Sequence, residues 1–275
     1  LRFLDPTAKL GDPRFMRCRL YQRQPSVPVL VMVLLSIFVT DAGLAAPTPA
    51  TTTPASRLGQ AIALFDPSGH ALNDFHAALR RARKGKGKAR IVFYGASHTA
   101  SDMFTSVVRR KLQKLYGDAG HGFVLPARPW THYRHDDVDI SSTNTWRADR
   151  SDKTNAIADG WYGLAGVSVA SNRPDDFGRV STVAGPVGQN VDLFELWYLK
   201  QPGGGTLEVR IDDKKPRRIS TADSAKKAAY APFRVRDGRH TLEVRPVGDG
   251  EVRLFGVVME RRRSGVVLDQ LGIPG

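Results

Sequence analysis

The chain has 275 residues, 41 Lys plus Arg against 27 Asp plus Glu, a formal charge of +14 and one cysteine. Hydrophobic residues make up 41%, enough for a core, which excludes wholesale disorder. One cysteine excludes a disulfide scaffold. With no Gly triplet, no sustained heptad and a single long apolar run, collagen, coiled coil and a multi-span membrane protein are excluded too.

Residues 1–24 carry Arg2, Lys9, Arg14, Arg17, Arg19 and Arg23; an apolar run, Val27 to Val39, follows, and then the small residues around Ala42 to Ala46. This order reads as a secretory signal over 1–46. The run is shorter than the roughly 20 residues of a spanning helix, so no stable membrane span is expected after cleavage. The expected location is secreted or periplasmic. Cys18 lies upstream of the cut, leaving the mature chain no thiolate nucleophile and no Cys-ligated zinc. Residues 47–57 read as a Pro/Thr-rich linker.

Residues 71–83 predict an amphipathic helix, with Ala71, Phe75, Ala78 and Leu79 at helical spacing. Ile91 to Tyr94 is a short apolar run, as in a buried parallel strand, and Gly95-Ala96-Ser97-His98 a tight turn. Ser101 or Asp102 caps the next helix, which runs to about Leu115 with Met103, Val107, Val108, Leu112 and Leu115 on one face. Gly117 to Gly122 reads as its C-terminal turn. Strand, turn and helix open an α/β sheet.

From about 120 to 260 the period is two. Val191–Leu199 and Thr206–Asp212, joined by QPGGG, read as a hairpin. So do Phe233–Arg236 and Thr241–Val247; Asp249-Gly250 then turns into Val252–Met259. Short strands with Gly-rich turns imply an antiparallel sandwich. Leu207, Val209 and Ile211 face one core, as do Leu242 and Val244. From Gly265 the chain again reads as a buried strand running into a Gly-rich loop. The expected organisation is therefore an α/β domain in two pieces, 58–120 and 263–275, around an inserted β-sandwich, 121–262.

The basic runs at Arg80–Arg90, Lys214–Arg218 and Arg261–Arg263 contain no aromatic residue. Nucleic-acid binders interleave aromatics with clustered charge, so nucleic acid is not an expected partner. The runs read as solvated surface or as attraction to an anionic envelope polymer. Trp197 lies in an apolar strand and is a core residue; Trp146 and Trp161 lie in polar loops and are candidate sugar contacts. His132, His135, Asp136 and Asp137 lack a third convergent ligand and read as a polar loop. No metal and no cofactor are expected.

The chemistry-bearing stretch is Tyr94-Gly-Ala-Ser97-His-Thr-Ala-Ser-Asp102. A serine on a sharp turn, after a buried strand and at a helix start, is placed for nucleophilic attack. Strand carboxyl ends are where α/β sheets hold ligands. Free amides at the helix start stabilise an oxyanion. His98 is adjacent, and neighbouring side chains on a turn diverge. Asp118-Ala-Gly-His121 matches Asp-x-x-His as a string. It follows a helix of ~22 Å, which puts it at the opposite end of the sheet from Ser97.

This stretch, with Tyr116-Gly-Asp-Ala-Gly-His-Gly-Phe-Val124, resembles the SGNH (GDSL-type) hydrolase superfamily, in its exported bacterial branch. The resemblance covers roughly 88–125 and 264–275. It implies a flavodoxin-like α/β sheet, incomplete here, interrupted by a jelly-roll-like β-sandwich similar to carbohydrate-binding modules. Members related to peptidoglycan and polysaccharide O-acetylesterases carry an insert at this place. The resemblance implies Ser97 as nucleophile, His98 as a structural or substrate-facing residue, and the Gly275 N–H, in Gly272-Ile-Pro-Gly275, as oxyanion donor. Ala96 stands where the family has Asp, and Pro274 where it has Asn. The family's Gly-x-Asn-Asp block and its late Asp-x-x-His, which supply the oxyanion Asn and the base and acid, are expected beyond residue 275, so the chain is expected to be truncated after the second block. The expected function is an exported serine O-acetylesterase acting on acylated polysaccharide or peptidoglycan, with little hydrolysis by this chain alone. The alternative is a non-catalytic glycan-binding protein or an inactive fragment.

Overall fold

The computed structural model describes residues 65–152 and 154–274. The expected signal at 1–46, the linker at 47–57 and Gly275 lie outside the described residues. Helix α1 (Asn73–Arg83) buries Ala78, Leu79 and Ala82. Strand β1 (Lys88–Gly95), the single-turn helix α2 (Ser97–Ala100) and α3 (Met103–Tyr116) follow. Then come β2 (Gly120–Val124), β3 (Val138–Ser142), β4 (Arg147–Arg150), β5 (Val167–Ser171), β6 (Gly178–Thr182) and β7 (Val191–Lys200). The last six are β8 (Thr206–Ile211), β9 (Arg217–Ser220), β10 (Lys227–Gly238), β11 (Thr241–Pro246), β12 (Val252–Glu260) and β13 (Gly265–Gly272).

β1 pairs in parallel with β13, from Lys88 opposite Gly265 to Gly95 opposite Gly272. Among the described residues, every other strand lies between these two in sequence. One antiparallel sheet has the order β10-β7-β12-β5-β4, with β2 also on β12; the other has the order β3-β6-β11-β8-β9. Side chains of both sheets share one core, including Phe194, Leu196, Leu207, Val209, Leu242, Val244, Leu254 and Val257. A smaller core joins α1 to the parallel pair through Leu79, Ile91, Val266 and Leu268. A buried charge network links the two parts. Arg90 donates to Asp269 at 2.9 Å and also to Glu260, while Asp269 accepts the Phe123 amide at 2.8 Å. Burial alone would raise the Glu260 carboxyl; Arg90 and Lys88 hold it below its usual range.

Four expectations are corrected. The predicted hairpins are not hairpins: β7 and β8, β10 and β11, and β11 and β12 each lie in opposite sheets. The connections cross the sandwich, and in the one from β7 to β8 Gly204 and Gly205 pack directly on the backbones of Thr221 and Gly250, where a Cβ would come within 2.3 Å. The stretch read as a helix-ending turn is strand from Gly120. Gly120 has φ +105°, and a Cβ there would meet the Glu260 Cα at 2.5 Å, so glycine lets β2 lie close on β12.

The buried face of α3 is polar, not apolar: Thr105, Ser106, Arg109 and Gln113 are buried. Met103, Phe104, Val107 and Leu115 are exposed, while Val108 and Leu112 pack on the smaller core. Asp102 precedes α3 in the left-handed region (φ 53°) and does not cap it with its side chain. That carboxylate is spent elsewhere, on Arg109 and the Asp136 amide.

Candidate active site

β1 delivers the chain to its C-terminal end at Gly95. Gly95 is needed without a side chain, since a Cβ would lie 2.3 Å from Thr99 Oγ1. Ala96 is extended and its carbonyl accepts the Thr99 and Ala100 amides at 3.0 and 2.9 Å. This starts a helix turn at Ser97 and leaves the Ser97 and His98 N–H groups without acceptors inside it. Ser97 and His98 are both exposed. Among the described residues, no imidazole or carboxylate hydrogen-bonds the Ser97 hydroxyl.

The end of β13 lies directly beside this turn. A Cβ on Gly272 would meet the Ala100 amide nitrogen at 2.1 Å. The Ile273 amide donates to the Gly95 carbonyl at 3.0 Å, and Gln270 donates to the Thr99 carbonyl. Ile273 therefore leaves the sheet beside the turn that carries Ser97.

The turn is fastened to the sandwich by Asp102. Its fully buried carboxylate pairs with the fully buried Arg109 at 2.8 Å and accepts the Thr105 hydroxyl at 2.5 Å and the Asp136 amide at 2.7 Å. Arg109 also donates to the Asp136 carbonyl at 2.8 Å, and Arg110 pairs with Asp137 at 3.0 Å. Such a pair is expensive to desolvate and costly to break, so it fixes α3 against the loop before β3.

The other predicted residues lie elsewhere. Asp118 bridges Val266, at the start of β13, whereas Ser97 follows Gly95, opposite its end. Six residues at about 3.3 Å each separate the two ends. His121 is fully buried, its Nε2 2.5 Å from the Gly188 carbonyl, and its ring meets His135 edge-on at 5.4 Å. Burial and then Arg109 push both imidazoles down, His121 to about 4 and His135 well below its ordinary value. His132 is exposed and turned to a different environment from His135. Asp136 and Asp137 are held by arginines.

Trp146 is not a sugar contact: it is buried, and its indole N–H donates to the Phe177 carbonyl at 2.9 Å. The polar sequence around it conceals an inward position. Trp161 is half-buried, next to Asp159, which is gripped by Arg253 and Lys226. Trp197 is half-buried between Phe123 and Tyr230, against the main core. The sequence reading has Asp102 as a cap and does not anticipate its pairing with Arg109. Their spacing of seven residues, two helical turns apart, was the available signal.

No protein-family model and no curated protein matches the chain. Among solved structures, the chain is similar to a peptidoglycan O-acetylesterase, with TM-score 0.52 and 22% identity over 71% of this chain and 50% of that one. It also matches a family two carbohydrate esterase from Cellvibrio japonicus, with TM-score 0.29 and 15% identity over 53% and 35% of the two chains. A family 35 carbohydrate binding module from Clostridium thermocellum matches with TM-score 0.31 and 8% identity over 46% and 99%. The chain spans about half the length of the first of these, and that likeness establishes a shared fold over the matched part.

Proposed function

We propose that the chain carries the nucleophile half of an exported SGNH-type serine esterase, acting on acylated polysaccharide or peptidoglycan, with acetyl as the acyl group. The observation that carries this reading is the placement of Ser97: exposed, on a helix start at the end of β1, with the end of β13 in register beside it. The shared fold with a peptidoglycan O-acetylesterase supports it. In this mechanism Ser97 Oγ attacks the acyl carbon as a base takes its proton. The amides at the α2 start and at Gly275 hold the oxyanion. The sugar oxygen leaves with the proton, and water then hydrolyses the acyl-serine, returning the serine and releasing the acid.

A serine hydroxyl needs an adjacent base, and none touches Ser97 among the described residues. In the proposed mechanism the base comes from outside them. Labelling of the full-length protein by a fluorophosphonate, abolished in Ser97→Ala, is the expected result. Equal labelling of both removes Ser97 from the mechanism. The missing base is also what favours the second reading, a glycan-binding protein without turnover. Absence of labelling and of acetate release from O-acetylated peptidoglycan selects it.

A further inference from the structure

The outer face of the sheet β3-β6-β11-β8-β9 carries a second feature, independent of Ser97. Strand alternation turns Leu207, Val209, Leu242 and Val244 into the core and turns Glu208, Arg210, Glu243, Arg245 and Arg179 outward. Glu243 sits opposite Arg179 on one neighbour and Arg210 on the other. Arg210 and Arg245 reach its Oε1 at 2.5 and 2.8 Å, and Arg179 Nε reaches its Oε2 at 3.1 Å. The carboxylate is closed over and 4% exposed, while the three arginine side chains remain 40, 42 and 38% exposed. Burial would raise the Glu243 carboxyl; the three guanidiniums bring it down to about 2.

Three positive charges around one negative leave an excess of two. No other carboxylate among the described residues pairs with these arginines. Each guanidinium has five donors, and Arg210 and Arg245 each spend one on Glu243. The planes are pre-set, since Arg179 and Arg245 lie over the Phe177 ring at 5.4 and 5.3 Å. A shallow cavity lined by Glu208, Arg210, Pro216, Glu243 and Arg245 opens at this point. Glu208 is itself occupied by Arg218 at 2.9 Å. A single arginine suffices to neutralise a buried glutamate; three, each more than a third exposed, leave guanidinium donors over for a further planar anion.

We infer that this face binds an acidic polysaccharide, its sugar carboxylates seated on the Arg179, Arg210 and Arg245 forks. Hydroxyl side chains border the forks, with Ser181 and Thr241 hydrogen-bonded to each other at 2.8 Å, and complement sugar hydroxyls. The large exposed apolar side chains of the described residues lie outside these strands, so the face lacks the apolar anchors of a protein interface. Its neighbouring aromatic, Phe177, is covered by arginines, so it offers no stacking platform for nucleic-acid bases. This binding goes beyond the esterase reading and needs no reaction at Ser97.

The test is affinity electrophoresis of the full-length protein in gels containing polygalacturonate, neutral dextran or duplex DNA. Retardation by polygalacturonate and not by dextran is expected. Arg210→Gln with Arg245→Gln should weaken it by about tenfold or more, the loss of charge-assisted hydrogen bonds. Arg210→Lys with Arg245→Lys keeps the charge and loses the forks, and should also weaken it. Arg80→Gln with Arg81→Gln, an equal charge loss on exposed positions of α1, should bind as the parent does. Thermal unfolding of each variant confirms that it is folded. The inference is overturned if the parent is not retarded by polygalacturonate, if the Lys pair binds unchanged, or if the α1 pair loses as much as the Gln pair. Retardation by DNA with the same variant dependence overturns it as well. None of these outcomes bears on fluorophosphonate labelling of Ser97, so the two readings fail separately.

Discussion

Ser97 and Asp102 are five residues apart and have opposite surroundings. One is open to water; the other is sealed beneath α3 with Arg109. The buried histidines beside Arg109 give this region a pH dependence whose sign is fixed. His121 and His135 stay neutral in the fold, because burial and the Arg109 charge disfavour their protonation, whereas the unfolded chain protonates near 6.5. Below that value the unfolded state binds more protons, so stability is full above pH 6.5 and falls as the pH drops toward 4. By pH 5 the loss is about 2 kcal/mol for His121, and His135 adds to it in the same direction. Urea unfolding midpoints at pH 7.5 and 5.0 should show the drop, and His135→Phe should make it smaller. An unchanged drop would place its origin elsewhere. The comparison between pH 7.5 and 5.0 stays above the unfolded carboxylate values, so Asp159 and Glu243, both held near 2, contribute little to it; their loss begins below about pH 5.

Among the elements, α3 shows most clearly what the sequence pattern leaves open. Its apolar spacing is regular, yet tertiary contacts bury the stripe containing Arg109 and Gln113. Gln113 donates to the Gly120 and Val266 carbonyls at 2.7 and 3.2 Å, stitching the helix to β2 and β13 through backbone groups that would otherwise lack partners. The contact of β13 with α2 is as specific. Gly272→Ala would drive a methyl against the Ala100 nitrogen, with backbone on both sides and no side chain free to yield. A cost of about 1–3 kcal/mol is expected for such overpacking, read as a lower thermal midpoint. The displaced turn should also lose its Ser97 labelling. Ile273→Ala, at a half-buried position, should retain labelling.

The molecule as a whole is a sandwich whose charged struts, through Asp269, Glu260 and Arg90, hold a small α/β unit at one side. That unit presents Met103 and Val107 to water, 66% and 42% exposed. Replacing both by Gln should change stability by no more than about 0.5 kcal/mol, as for other exposed positions. A denaturation midpoint reporting a larger loss would show that this face is covered in solution.

The sequence alone determined the local features. The apolar run of β1, the glycine before the turn and the serine at the helix start follow from short-range sterics, and the alternation in β8 and β11 fixes which side chains enter the core. The pairing of β1 with β13 across the intervening strands was legible in outline, as two apolar runs of parallel-strand type flanking a region of period two. Tertiary structure decided what depends on distant partners. Which sheet each strand joins was settled by pairing with strands distant in sequence, and which face of α3 is buried by the Asp102 and Arg109 pair. Whether Trp146 meets sugar or core was settled by the Phe177 carbonyl. Periodicity reports that a side chain has an inner and an outer option; only the packed neighbour sets the free energy between them.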